Sequence, residues 1–229
     1  MPARFHRDRP ASRLCLYDAP RDPRLSMNSL IDTIAAPEPA TLPACRLRHA
    51  RHEDAAELAA FAARTFEDTY GSDMPGRIGP EHIALHLATA FGPRQQAAEL
   101  ADPGVVTVLA ECDGRLAAYA QVRRAVVPPC VAGRAPIELH RLYVDRAWHG
   151  RGISQRLMTE VDAIAAGRFG GATLWLKVWE RNARAIAFYA KCGFADVGIA
   201  DYFVGADRLT DRVLVRPIAA AAAAQPASG

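Results

Sequence analysis

The amino-acid sequence predicts an α/β fold: one domain with a mixed, mostly antiparallel sheet of about seven strands flanked by helices. Three observations carry this. Runs rich in β-branched residues are interleaved with segments whose apolar residues recur at helical spacing. Asp113-Gly114, between two such β-rich runs, is the dipeptide that suits a type I′ hairpin turn. Between Ile137 and Ile164 a strand, a short glycine-bearing loop and a long amphipathic helix follow one another directly.

Cys45–His49 reads as the first strand. From Glu53 to Thr69 the apolar residues Leu58, Phe61, Ala62 and Phe66 fall at helical spacing. A break over residues 71–80 precedes a second helix near Glu81–Phe91, and Gly92-Pro93 separates it from a third, short one. Val105–Cys112 and Leu116–Val122 form the hairpin arms, and Ile137–Val144 a fourth strand. Ile153, Leu157, Val161 and Ile164 share one helical face. Thr173–Val178 is a fifth strand, and Ala183–Cys192 a helix stopped by Gly193. Two last strands are expected near Ala195–Val204 and Arg212–Val215. The domain therefore spans residues 41–218. Residues 1–40, an Arg/Pro/Asp/Ala mixture without a period, and the Ala-rich stretch 219–229 are expected to be disordered, and Met27 is a candidate start.

Composition narrows the function classes. Of 229 residues half are hydrophobic, enough for a real core, and 28 basic residues face 25 acidic ones. So even a balance gives no footprint for nucleic acid. No run approaches the about 18 apolar residues that cross a bilayer, and no apolar stretch follows the basic N-terminus, so a cytoplasmic protein without a membrane partner is expected. The five cysteines are scattered and include no CxxC pair. Neither a disulfide framework nor a metal site is expected, and the thiols read as small buried hydrophobes in a reducing compartment.

The chemistry concentrates in two stretches. The first runs from Glu138 to Ser154 and contains His149-Gly150-Arg151-Gly152-Ile153-Ser154 between a strand and a helix. N–H groups of the loop and first helical turn lack intrahelical partners, and the helix dipole adds positive potential, so the turn suits an anion. Gly150 and Gly152 let the backbone approach a phosphate. A P-loop needs a lysine that is absent here, and a dinucleotide fingerprint needs a glycine where Gln155 stands. A structural strand-to-helix turn is the bland alternative. The second stretch is Leu174-Trp-Leu-Lys-Val-Trp-Glu-Arg-Asn182, continuing through Phe188-Tyr189 to Gly193-Phe194.

The two stretches, in this order and spacing, resemble the acetyl-CoA-binding halves of GNAT superfamily N-acetyltransferases. Over roughly residues 45–217 the chain looks like the bacterial spermidine/spermine type. His149 stands where a Gln or Arg is usual, and Ser154 where a small residue closes the motif. The resemblance implies a GNAT-like fold, acetyl-CoA as cosubstrate, and a primary amine as acceptor, a polyamine or another small amine, with a homodimer left open. It places the pyrophosphate at His149–Ser154, Arg151 and Ile153 included. The pantetheine would lie on the backbone of Leu142, Tyr143 and Val144 and near Asn182, which could equally serve only as a helix cap.

An alkyl amine of pKa about 10.4 is almost wholly protonated at neutral pH, and freeing it costs about 4–5 kcal/mol. The resemblance places the strand of Glu138 along the active site, which makes Glu138 the candidate base, with His140, on the same strand face by alternation, as its rival. Each could also be a solvated strand residue. The resemblance makes Tyr189 the acid toward the departing thiolate, against a role as core tyrosine. Glu67, Asp68 and Asp73 could hold a cationic amine or be ordinary surface acids, and Phe66, Tyr70, Trp175 and Trp179 read as core. A protein N-terminus or lysine is the alternative acceptor, and a non-catalytic acyl-CoA-binding module the alternative of another class.

Overall fold

The structure, a computed structural model, describes residues 45–70 and 78–218. Both proposed disordered ends, 1–40 and 219–229, lie outside the described residues, as does Asp73. The strands are β1 (Cys45–His49), β2 (Val105–Cys112), β3 (Arg115–Arg123), β4 (Pro136–Val144), β5 (Thr173–Trp179), β6 (Ala195–Val204) and β7 (Asp207–Pro217). The helices are α1 (Ala55–Tyr70), α2 (Pro80–Ala90), α3 (Pro93–Ala101), α4 (Ile153–Gly167) and α5 (Ala183–Lys191).

One seven-stranded sheet runs in the order β1-β2-β3-β4-β5-β7-β6. Every neighbouring pair is antiparallel except β4 and β5, whose parallel connection is made by α4. Asp113 (φ 52°) and Gly114 (φ 71°) both take positive φ, as a type I′ turn requires. The last strand starts five residues earlier than its apolar run, at Asp207, because the turn at Gly205 pairs Val204 with Asp207 and zips the hairpin fully. The alternation of Leu209, Asp211 and Val213 then belongs to the sheet.

Two apolar layers sandwich the sheet. On one face Ile153, Leu157, Val161 and Ile164 of α4 pack with Leu139, Leu176 and Leu214. On the other, Leu58, Phe61 and Phe66 of α1 pack with Phe91, Leu109, Tyr119 and Trp179. β3 runs between both layers, and seven of its nine residues in sequence, Leu116–Val122, are buried. The cysteine expectation is corrected here. Cys45 and Cys112 face each other in register across β1 and β2, their Cα atoms 4.2 Å apart, and form a disulfide. Their separation of 67 residues hid a pairing that only the sheet register creates. Cys130 and Cys192 are free and partly buried.

Candidate active site

The site begins where the sheet comes apart. β4 and β5 pair only through Pro136–Thr173, Ile137–Leu174 and Glu138–Trp175. Against β3, the register shifts so that Gln121 faces Arg141 while Val122 faces Leu139, leaving His140 as an extra residue. Such a bulge bends its strand and strengthens the local twist. Beyond it β4 leaves β5, and a cleft of about 810 Å³ opens in the fork. Leu139–Val144 line one side, Lys177–Trp179 and α5 the other, and the edge of β4 facing the cleft has no strand partner. Leu142, Tyr143 and Val144 thus stand where an extended ligand could pair with their backbone.

The loop after β4 closes one end. Gly150 and Gly152 both adopt φ 76°, a left-handed conformation suited to glycine. The first α-helical bond of α4 runs from Arg156 N–H to Gly152 C=O, so the N–H groups of Ile153, Ser154 and Gln155 lack helical partners. All three residues line the cleft. The His149 ring is pinned on both nitrogens: Nε2–H donates to the Val144 carbonyl (2.9 Å), and Nδ1 accepts from Arg184 (2.7 Å). His149 therefore ties the loop to the end of β4 and to α5. Arg151 is the loop residue that does not line the cleft; its guanidinium lies over the Trp148 ring, 4.9 Å from the centroid. Six basic side chains, Arg141, Arg146, Lys177, Arg181, Arg184 and Lys191, border the cleft against one acid, Asp68. Free N–H groups, basic lining and an unpaired strand edge fit a long anionic acyl carrier.

Asn182 does cap α5, its Oδ1 accepting from Ala185 N–H (3.1 Å), and it also borders the cleft. The cap leaves its NH₂ as the remaining donor. Tyr189 lines the cleft with only 7% of its surface exposed, edge-on to Phe188 and Phe194. Burial holds its hydroxyl well above the ordinary phenol value, so it keeps its proton.

The structure separates Glu138 from the cleft. The carboxylate is 1% exposed, accepts from Arg123 Nε (2.6 Å), and borders a second cavity of about 520 Å³. Burial works to raise its pKa, but His140 and Arg123 outweigh that and hold it below the usual carboxylate range. It is a weak base beneath a guanidinium. His140, displaced by the bulge, lines the cleft instead, with Nδ1 3.7 Å from Glu138. Burial pushes His140 below the ordinary imidazole value, Arg141 and Arg123 add to the push, and Glu138 opposes it. The ring is therefore neutral at neutral pH and able to accept a proton.

At the opposite face of the sheet Thr65, Asp68, Thr69 and Tyr70 of α1 border the cleft, whereas Glu67 is exposed outside it. Tyr70 stacks on the buried Phe66 and lies 5.4 Å from Trp179, so Tyr70 and Trp179 are wall residues as well as core. The sequence reading passed over Lys177, although strand alternation places it on the Trp175 and Trp179 face.

Comparison with known proteins identifies the family and the fold. Residues 66–194 match the model of the acetyltransferase (GNAT) family. An uncharacterized N-acetyltransferase of Mycobacterium tuberculosis is 37% identical over 165 residues, 72% of this chain and 98% of that protein. The N-alpha-acetyltransferase RimI of the same organism is 36% identical over 120 residues, 50% of this chain and 69% of the relative. Among solved structures, the PaiA N-acetyltransferase of Thermoplasma acidophilum in complex with coenzyme A has the same fold. Its TM-score is 0.60 at 19% identity, over 76% of this chain and 98% of that one. By family match and by relatives, this chain belongs to the acetyltransferase (GNAT) family and is an acetyl-CoA-dependent N-acetyltransferase.

Proposed function

We propose that the enzyme acetylates a small primary amine by direct transfer within a ternary complex. The observation that carries this is a single cleft, opened by the β4 bulge, that exposes His140 and Tyr189 to one space. Acetyl-CoA supplies an activated thioester carbonyl. The N–H groups of Ile153 to Gln155 would hold its pyrophosphate, and the free edge of Leu139–Val144, with Asn182, its pantetheine arm. His140 takes the proton from the acceptor nitrogen, directly or through water, and Tyr189 donates toward the departing sulfur. Glu138 acts behind His140, its negative charge favouring the imidazolium that forms.

A second reading has its own support: the likeness to RimI favours the amino group of a protein N-terminus as acceptor. A turnover screen with thiol detection, set up with small amines in one arm and N-terminal peptides in the other, separates the two. Release of thiol with peptides alone would refute the small-amine reading.

His140→Ala is expected to lower kcat about 10²-fold and to remove the acid limb of the pH–rate profile. That limb belongs to an imidazole held below its ordinary value, so the parent should stay active to lower pH than an exposed histidine would allow. An unchanged profile in a folded variant would assign proton removal to water alone.

A further inference from the structure

The second cavity, of about 520 Å³, takes no part in the chemistry above. It is a trough between α3 and the sheet, built on one row of side chains across three strands. Arg123 of β3 is level with Glu138 of β4, and Glu138 with Trp175 of β5. Lys177, the next residue of β5 on the face of Trp175, lines both this trough and the cleft. Glu138, which lines the trough, lies 3.7 Å from His140, which lines the cleft. The two spaces therefore share a wall beside the group assigned as base. A molecule whose nitrogen reaches His140 can place its other end in the trough.

The charges of the trough decide what that end is. The acids that line it are already engaged. Glu138 accepts from Arg123 Nε (2.6 Å), Glu99 from Gln121 Nε2 (3.0 Å) and from Arg141, and Asp102 from the Gly104 N–H (2.7 Å). The cations are less fully used. Arg124 donates to the Phe169 carbonyl (3.0 Å), whereas Arg123 donates through Nε alone among the described residues, which leaves its Nη groups as donors. Lys177 is exposed and makes no hydrogen bond or ion pair among the described residues, although the buried Asp211 feels its charge. Trp175 adds a buried Nε1–H that has no partner among the described residues. Spare donors on cationic groups beside the cleft are the chemistry that receives a carboxylate.

We propose that the trough anchors a carboxylate of the acceptor, on Lys177 and the free nitrogens of Arg123, while the amine of the same molecule reaches His140. The proposal rests on the small-amine reading and names the class of amine: one that carries a carboxylate, a short amino acid. The span is short because Lys177 and His140 each stand two residues past the last paired row, Glu138 and Trp175, where neighbouring strands are only about 5 Å apart. This acceptor differs from the polyamine that the sequence resemblance implied. A second ammonium in the trough would meet Lys177 and Arg123 and find each acid already engaged.

Glycine, β-alanine and 4-aminobutyrate, each compared with the alkylamine of equal carbon number, test it. At least one of these acids is expected to show a kcat/KM about 10-fold or more above that of its alkylamine, the worth of one charge-assisted hydrogen bond. Lys177→Met should collapse that ratio, whatever it does to the alkylamine itself, and Lys177→Arg should keep most of it. The side chain is exposed, so both variants should fold, which their melting temperatures check. A Lys177 that served only acetyl-CoA would change acid and alkylamine together and leave the ratio where it was. Ratios near one for every pair in the parent, or a preference that survives Lys177→Met, would overturn the proposal and leave the small-amine reading standing. Acetylation of none of these amines overturns both.

Discussion

Tyr189→Phe is expected to leave the fold intact and to lower kcat by about 10² to 10⁴, the usual loss with a general acid. The substitution removes one oxygen from a ring already packed edge-on between Phe188 and Phe194, so the apolar contacts remain. The hydroxyl makes no hydrogen bond to protein among the described residues, so no partner is orphaned by its loss. Burial keeps it protonated, which suits a donor and excludes a role as base at neutral pH. Acetyl-CoA affinity should change little, because the phosphates are assigned to the far loop. The comparison to make is kcat with the best amine, beside the melting temperature of the same variant. Turnover within a few-fold of the parent would make the hydroxyl a packing group and leave the thiolate to water.

Gly152→Asp is expected to abolish measurable acetyl-CoA binding in a protein that still folds. Gly152 has φ 76°, and an L-residue there costs about 1–2 kcal/mol. Aspartate partly offsets this strain, because it is a good N-cap and its carboxylate can accept from the unpaired N–H groups that follow. Those are the donors assigned to the pyrophosphate, so the substitution fills the site with a competing anion. Gly152→Ala separates the effects, bringing the strain without the charge. Calorimetric titration with acetyl-CoA should show the alanine variant weakened and the aspartate variant silent. Parental affinity in Gly152→Asp would move the phosphate site elsewhere.

Most of the architecture was legible because each element carried its own period or stop signal. Ile153, Leu157, Val161 and Ile164 announced α4, and all four are buried on one side. The glycine loop was legible because left-handed φ values demand glycine. What local pattern could not carry was anything set by pairing between distant strands. The bulge at His140 exists only through the β3–β4 register. Strand alternation had placed Glu138 and His140 together in the site, and the bulge sends one into a neighbouring cavity and the other into the cleft. The Cys45–Cys112 disulfide is likewise a register effect. Asp211 escaped notice because the last strand was read from Arg212 onward, five residues too late, and an acid outside a strand has no face.

The short β4–β5 contact has a mechanical consequence. Four strands lie on one side of it and three on the other, and three residue pairs are the whole strand-to-strand seam between them. A sheet so joined behaves as two ribbons fastened at one end, free to breathe at the other until something bridges the gap. An extended ligand in the fork would then act as a missing strand, knitting the ribbons together as it binds. Backbone amide exchange reads this directly: amides of Leu139–Val144 that point into the fork should exchange quickly in the free enzyme and slow sharply with acetyl-CoA, while those bonded to β3 change little. Equal protection with and without the ligand would mean that the fork is rigid and that the ligand's backbone pairing is not made.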